Sequence, residues 1–268
     1  MYKRAYMNLT LTGKTALVCG STQGIGRAAA VELALLGASI VLMARNEQTL
    51  RETLAELDTN QGQTHRYLVA DFNKPGEAPA VLSQHLAKFP AMHILINNTG
   101  GPAGGALLDA KPEEFTQTFH NHLLNNQALV QAVFPAMKEA GFGRIINVIS
   151  TSVKQPIVGL GVSNTIRGAV AQWAKTLSLE IAHFGITVNN VLPGYTETAR
   201  LAAVLAMRSK TSGKSEEEVA RQMEREIPTG RFVKAEEVAA AIAFLCTPAA
   251  ASINGINLPV DGGRTGSL

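Results

Sequence analysis

The stretch TALVCGSTQGIGRAAAVELALLGA, residues 15–38, decides the fold. An apolar, β-branched run leads into a polar turn and then into an alanine-rich stretch whose apolar residues recur at helical spacing. Because glycine has no Cβ atom, Gly20 and Gly24 permit a tight turn and the close approach of a phosphate, and Gly26 lets the helix pack on the strand. The stretch therefore predicts a strand, a phosphate-binding turn and a helix, with an ordinary strand-to-helix turn as the alternative.

Six more apolar runs follow, and amphipathic stretches separate them. They are SIVLMA (39–44), HRYLVA (65–70), HILINN (93–98), RIINVIS (144–150), ITVNNVL (186–192) and GINLPV (255–260). Runs that are apolar throughout are typical of strands covered by helices on both faces. We therefore predict an α/β protein with a single Rossmann-type doubly wound seven-stranded parallel sheet and helices on both faces.

The chain shows no internal repeat and no low-complexity linker. We expect one domain over residues 13–268, preceded by an N-terminal extension of residues 1–12. Residues 199–227 interrupt the alternation, because two helical patterns there flank the polar hinge SKTSGKS, residues 209–215. Ligands of such sheets bind beyond the carboxyl ends of the strands, so we expect residues 199–227 to form a helical substrate lid. A surface helical hairpin is the alternative.

Composition and charge exclude several classes of protein. The 24 basic and 21 acidic residues leave a net charge of +3, and no long basic run indicates nucleic-acid binding. No apolar stretch is long enough for a signal peptide or for a membrane span of about 18 to 20 residues. Cys19 and Cys246 lie in apolar runs, so we expect buried thiols, no disulfide framework and a cytoplasmic location. We expect no metal site.

The end of the second apolar run distinguishes two dinucleotides. An acidic residue at this point would bind the ribose hydroxyls of NAD, whereas an arginine accommodates the 2′-phosphate of NADP. Ala44 occupies the position of the acidic residue, and Arg45 follows it. A guanidinium group binds phosphate in a bidentate manner, so the sequence favours NADP(H). A solvated arginine at the start of a helix is the alternative.

The glycine spacing G-x-x-x-G-x-G resembles that of the short-chain dehydrogenase/reductase family, and the similarity extends over nearly the whole chain. Three later segments carry it: VADF (69–72), INNTG (96–100) and LPGYTET (192–198). The chain is most similar to the 3-oxoacyl-acyl-carrier-protein reductase-like branch. The resemblance implies Asp71 beside the adenine, the Asn98–Gly100 backbone along the ribose, and the 192–198 loop near the nicotinamide. The expected cofactor-binding residues are Gly20, Thr22, Gln23, Gly24, Ile25, Gly26, Arg45, Asp71, Asn98, Gly100, Arg167, Pro193, Gly194 and Thr198.

The resemblance breaks at the reaction centre. In the family a tyrosine exchanges a proton with the substrate, a lysine supports it, a serine positions the substrate and an asparagine supports a water relay. Here the serine position holds Ser150, the tyrosine position Ser163, the lysine position Arg167 and the asparagine position His122. An aliphatic alcohol is a far weaker acid than a phenol, so Ser163 can orient a substrate but hardly protonate it. His122 is a candidate proton source, with a structural helix residue as the alternative.

Two hypotheses follow from the altered site. In the first, the chain is an NADP(H)-dependent oxidoreductase that interconverts a carbonyl and an alcohol, such as a 3-oxoacyl thioester or a similar ketone. In the second, it binds NADP(H) without dehydrogenase activity and serves as a sensor, scaffold or partner subunit. Related proteins pair the helices that correspond to residues 112–140 and 161–183, so we also expect a homodimer or homotetramer.

Overall fold

The computed structural model describes residues 7–267 and confirms the predicted sheet. Seven parallel strands have the order β3-β2-β1-β4-β5-β6-β7. Each strand falls on one of the seven apolar runs. The strands are β1 Thr15–Cys19, β2 Ser39–Ala44, β3 Arg66–Val69, β4 Ile94–Asn97, β5 Gly143–Val148, β6 Ile186–Pro193 and β7 Asn257–Val260.

Helices connect the strands and cover both faces of the sheet. They are α1 Gly24–Leu35, α2 Glu47–Ala55, α3 Glu77–Leu86, α4 Pro112–Phe119, α5 Asn125–Glu139, α6 Gly161–Ile181, α7 Ala199–Ser212, α8 Glu216–Arg225 and α9 Ala235–Cys246. Side chains of β1 alternate between two cores: Ala16 and Val18 pack with α1 and α9, and Leu17 and Cys19 pack with α3, α5 and α6. The period of two along a strand produces this division.

The strand order reverses direction between β1 and β4. From β1 the chain builds outward to β2 and β3, and it then crosses back to place β4 on the other side of β1. The connections that leave β1 and β4 therefore diverge, and a crevice opens at the carboxyl ends of these two strands. This topological switch point positions the candidate site.

The first of the two long helices differs from the expectation. A π-helical turn, His120–Leu124, separates α4 from α5 within residues 112–140. The wider turn changes the direction in which side chains leave the helix, and such turns are frequent at functional sites. Here the π turn carries the buried His122, which lines the cleft described below.

The segment expected as a lid contains α7 and α8, joined by a hinge shorter than predicted. Residues 209–212 of the polar stretch are helical, and the hydroxyls of Thr211 and Ser212 donate to carbonyls one turn earlier, at 2.9 and 2.7 Å. Gly213, in the left-handed conformation with φ +70°, ends the helix. The two helices share a small apolar core that includes Leu201, Val219 and Met223.

The described part of the N-terminal extension is attached to the sheet domain. The Asn8 carbonyl accepts a hydrogen bond from the Ala249 backbone at 3.1 Å, and the Leu11 side chain is fully buried. Residues 1–6 of the predicted extension lie outside the described residues. Among residues 7–267, no helix combines the length and the apolar character that crossing a membrane requires.

A buried ladder of asparagine side chains runs across four strands. The amide nitrogen of Asn97 donates to Asn147 at 2.9 Å, that of Asn147 to Asn190 at 2.9 Å, and that of Asn190 to Asn257 at 2.8 Å. Asn97 and Asn147 are buried, so each amide depends on its neighbours for its partners. The ladder joins β4 to β7 just below the cleft and supports the strand ends that form it.

Asn147→Leu should lower the free energy of unfolding by about 3 kcal/mol. The substitution removes two hydrogen bonds at once, the one that Asn147 accepts from Asn97 and the one that it donates to Asn190. Urea denaturation measures the change. Asn257→Leu serves as the matched control, since it removes only the acceptor at the end of the ladder and should cost less. Equal losses for the two variants would contradict a ladder in which each amide depends on both neighbours.

Candidate active site

A cleft of about 1310 Å³ opens beyond the carboxyl ends of the strands, and residues that follow β1 to β6 line it. Helix α7, in the segment expected as a lid, borders it on one side. All the predicted site residues except Gly26 line this cleft: Gly20, Thr22, Gln23, Gly24, Ile25, Arg45, Asp71, Asn98, Gly100, His122, Ser150, Ser163, Arg167, Pro193, Gly194 and Thr198. The topology therefore brings together residues that are up to 178 positions apart, from Gly20 to Thr198.

The glycine turn after β1 has no room for side chains. Gly20 and Gly24 have φ values of +59° and +50°, which glycine adopts without strain. A Cβ atom on Gly26 would lie 2.1 Å from the Gly20 carbonyl oxygen, which explains why Gly26 lies behind the cleft and not in its lining. The Asn98 amide donates to the Gly20 carbonyl at 3.3 Å and fixes the turn. Helix α1 begins at Gly24, so its free N–H groups face the cleft.

Arg45 lies at the end of the cleft next to the glycine turn. It follows Ala44, the last residue of β2, and its side chain is exposed. Within residues 7–267 it forms no ion pair. Arg27, by contrast, pairs with Glu56 away from the cleft. The glycine turn and Arg45 therefore form an electropositive pocket with space for a phosphate group.

Two serine hydroxyls lie in the cleft as acceptors of protein hydrogen bonds. Ser150 Oγ accepts from the Ser152 backbone N–H at 3.1 Å, and Ser163 Oγ accepts from Arg167 Nε at 3.2 Å. Arg167 is also held by the Val148 carbonyl, to which Nη1 donates at 3.2 Å. Neither serine hydroxyl donates to a described residue, so both hydroxyl protons are free for a ligand oxygen in the cleft.

Arg167 and His122 are both buried at the base of the cleft. Burial, with a smaller contribution from Arg200, lowers the pKa of Arg167 to about 10, so the guanidinium stays charged at neutral pH. Burial, and then the charge of Arg167, lowers the pKa of His122 to about 3, although a hydrogen bond to the Gly100 backbone partly opposes them. The imidazole is therefore neutral at pH 7. A role of His122 in proton transfer at neutral pH would therefore run through the neutral ring as a relay.

The buried neutral His122 makes the fold less stable in acid. The unfolded chain binds a proton below about pH 6.5, but the folded ring does so only near pH 3, so the free energy of unfolding falls as the pH decreases between these values. The free energy of unfolding of the wild type falls between pH 7.5 and pH 5, and His122→Asn should make this fall smaller by about 2 kcal/mol. Urea denaturation at the two pH values tests this. His183→Asn, at an exposed histidine, is the control, and a His122→Asn variant with the wild-type pH dependence would contradict it.

The opposite end of the cleft holds a cluster of two arginines and one tyrosine. Tyr195, in the loop after β6, accepts hydrogen bonds at its hydroxyl from Arg208 at 3.2 Å and from Arg264 at 2.8 Å. Tyr195, Arg208 and Arg264 all line the cleft. None of these three residues is among the site residues expected from the sequence, and Arg264 lies in the chain after β7.

The chain is similar to known proteins over most of its length. Residues 20–265 match the family model described as enoyl-(acyl carrier protein) reductase. The chain is 33% identical over 259 residues to a D-β-hydroxybutyrate dehydrogenase of Rhizobium meliloti, with 94% of this chain and 98% of the relative covered.

Among the described residues, no group of three or more potential ligands could hold a metal ion.

Solved structures are similar over almost the full chain. A variant of actinorhodin polyketide ketoreductase, solved with NADPH, has a TM-score of 0.87 and 34% identity, and the match covers 94% of this chain and 97% of that one. L-Sorbose reductase of Gluconobacter frateurii, solved with NADPH and L-sorbose, has a TM-score of 0.90 and 29% identity over 98% and 100% of the two chains.

Fold and site together define a doubly wound protein with a nucleotide-type pocket at its switch point. The matched family model and these relatives assign it further: the chain belongs to the short-chain dehydrogenase/reductase family.

Proposed function

We propose that the protein is an NADP(H)-dependent oxidoreductase that interconverts a carbonyl and an alcohol, with a 3-oxoacyl thioester or similar ketone as substrate. The observation that carries this proposal is the joining of two kinds of site in one cleft. The glycine turn with Arg45 lies at one end, and the free hydroxyls of Ser150 and Ser163 lie within the same cavity. The named reductases and dehydrogenases among the relatives support the same reaction class.

The pocket around the glycine turn fits NADP(H). A Cβ atom at Gly20 would lie 2.7 Å from the Asn98 carbonyl, so the turn leaves the backbone bare where a pyrophosphate would approach. Arg45 would bind the 2′-phosphate, and Ala44 provides no carboxylate to repel it. Two of the similar structures are described as NADPH complexes, which supports this choice. When bound, the nicotinamide supplies or accepts the hydride at the carbonyl carbon.

The residues of the altered centre would stabilise the oxygen of the substrate. The hydroxyls of Ser150 and Ser163 would donate hydrogen bonds to it, and the nearby charge of Arg167 would stabilise the negative charge that develops during reduction. Because Ser163 is itself a weak acid, we propose that it relays a proton from solvent in the open cleft to this oxygen. His122, neutral and buried, would take part in this relay through its uncharged ring, and Arg167 would supply the positive charge.

Exposed apolar residues support a homodimer or homotetramer. Phe119 in α4, Leu124 in the π turn and Leu179 in α6 are 37%, 46% and 70% exposed, on the helices that related proteins pair. Covering such residues in a second copy would stabilise an assembly. Sedimentation velocity should show a dimer or tetramer, and a monomer at micromolar concentration would contradict it.

A cytoplasmic location is supported by the two cysteines. Cys19 and Cys246 are free and fully buried, and burial raises the pKa of each thiol to about 12. Thiols held protonated in a core are inert, and free thiols are the usual state in a reducing compartment.

NADPH oxidation by the purified protein tests the proposed function. The panel contains 3-oxoacyl thioesters, ketones, aldehydes and quinones, and a Ser163→Tyr/Arg167→Lys double variant is measured beside the wild type. Turnover by the wild type is expected. A wild type that binds NADPH but reduces no carbonyl compound, beside an active double variant, would contradict it and favour the nucleotide-binding protein without dehydrogenase activity.

A further inference from the structure

We infer that the substrate of this cleft carries an anionic group, a carboxylate or a phosphate, and that Arg208 and Arg264 bind it at the lid end. This inference rests on the proposed function and adds the class of substrate. Its evidence is a cluster formed by three separate segments: the loop after β6, the lid helix α7 and the chain after β7.

Tyr195 positions the two guanidinium groups. Its hydroxyl accepts from Arg208 Nη2 at 3.2 Å and from Arg264 Nη2 at 2.8 Å. The guanidinium of Arg264 also lies over the Tyr195 ring, 4.1 Å from its centroid, which fixes the plane of the group. Each arginine uses one nitrogen for the tyrosine and retains further donors, and Arg264 Nε is buried without a partner among the described residues. Two oriented guanidinium groups with unused donors match a carboxylate or phosphate.

The charges around the cleft are segregated. Its three carboxylates, Asp71, Glu113 and Glu114, follow β3 or lie in the first turn of α4. Three of its five arginines lie instead on the lid or on the C-terminal segment: Arg200, Arg208 and Arg264. The buried Arg167 adds a fourth positive charge without an ion-pair partner in the described chain.

One carboxylate outside the cleft lining competes for Arg264. Glu226 lies 3.2 Å from Arg264 Nη2 and 3.4 Å from the Tyr195 hydroxyl. Glu226 is exposed, however, and it engages only Nη2 of Arg264, the nitrogen that also donates to Tyr195. One carboxylate beside two arginines leaves a net positive charge at this end, so an incoming anion would be bound in preference to water.

The 2′-phosphate of the cofactor does not account for this cluster. The expected 2′-phosphate site is Arg45 at the end of β2, and Tyr195 follows β6. Four strand spacings separate β2 from β6, about 19 Å at roughly 4.8 Å per spacing. Arg208 and Arg264 therefore face the substrate half of the cleft.

Matched pairs of compounds test the inference on the NADPH-loaded protein. Each 2-oxo or 3-oxo acid is compared with its methyl ester, which has the same carbonyl but no charge. A second arm compares 3-oxobutanoyl phosphopantetheine with 3-oxobutanoyl pantetheine, which lacks only the phosphate. We expect kcat/KM to favour the anion by about tenfold or more in one arm, and that arm identifies the carboxylate or the phosphate. Calorimetric titration of the same pairs gives the affinity independently of turnover.

Variants assign the preference to the cluster. Arg208→Met and Arg264→Met should each remove the preference for the anion and leave the affinity for NADPH unchanged, and Arg264→Lys should retain part of it. Arg225→Met, at an exposed arginine of α8 outside the cleft, is the matched control and should behave as wild type. Equal kcat/KM and equal affinity for anion and neutral partner in both arms would overturn the inference. Reduction of neutral ketones would then still support the proposed function, so the two failures are distinguishable.

Discussion

Arg45→Glu lowers the affinity for NADPH by about a hundredfold or more, and it narrows or reverses the preference over NADH. The change removes the guanidinium that would pair with the 2′-phosphate, and it introduces a carboxylate that repels the phosphate and can accept from ribose hydroxyls. A hundredfold corresponds to about 2.7 kcal/mol, within the range of two charge-assisted hydrogen bonds. Titration of both dinucleotides by intrinsic or cofactor fluorescence measures it.

Arg27, in helix α1, provides the control for this effect. Arg27 pairs with Glu56 outside the cleft, so Arg27→Glu should leave the ratio of NADPH to NADH affinity unchanged. An Arg45→Glu variant that keeps the wild-type ratio would show that another group selects the dinucleotide.

Gly26→Ala should abolish measurable NADPH binding and lower the free energy of unfolding by about 3 kcal/mol. The added Cβ atom would lie 2.1 Å from the Gly20 carbonyl oxygen and 2.7 Å from the Asn98 amide nitrogen, and both neighbours are held by the strands. Helix α1 must therefore move away from the turn, which separates its N-terminal N–H groups from the phosphate position. Urea denaturation and calorimetry with NADPH measure the two effects.

The same substitution at Gly168 is a matched control. Gly168 lies within α6, and a Cβ atom there would have no neighbour within 4 Å. Alanine is favoured over glycine in a helix by about 0.5 to 1 kcal/mol, so Gly168→Ala should be neutral or stabilising. NADPH binding of normal affinity by a folded Gly26→Ala protein would contradict the role of the glycine turn.

The sheet was predictable because its strands are buried on both faces. Every apolar run became a strand, and the order of strands follows from right-handed crossovers around one switch point. Two local features were not predictable from periodicity. The π turn at His120–Leu124 keeps helical spacing of its apolar residues, and the polar residues 209–212 continue α7 as far as the left-handed Gly213.

One end of the cleft was predictable for a different reason. Its residues follow strands directly, so locating the strands also located Gly20, Arg45 and Asp71 at one edge. The other end depends on contacts between distant segments: Arg264 meets Tyr195 across 69 residues of sequence. The charge state of His122 likewise depends on burial and on the adjacent Arg167, which a spacing pattern does not show.

Transfer of deuterium from NADPH that carries deuterium at both C4 positions of the nicotinamide tests the central claim most directly. The wild-type protein, with Ser163 and Arg167 unchanged, is incubated with labelled NADPH and the best carbonyl compound of the panel. An alcohol carrying one deuterium on the former carbonyl carbon is the predicted product, observed by mass spectrometry and NMR. Unlabelled alcohol, or no alcohol while NADPH is bound, would contradict carbonyl reduction in this cleft.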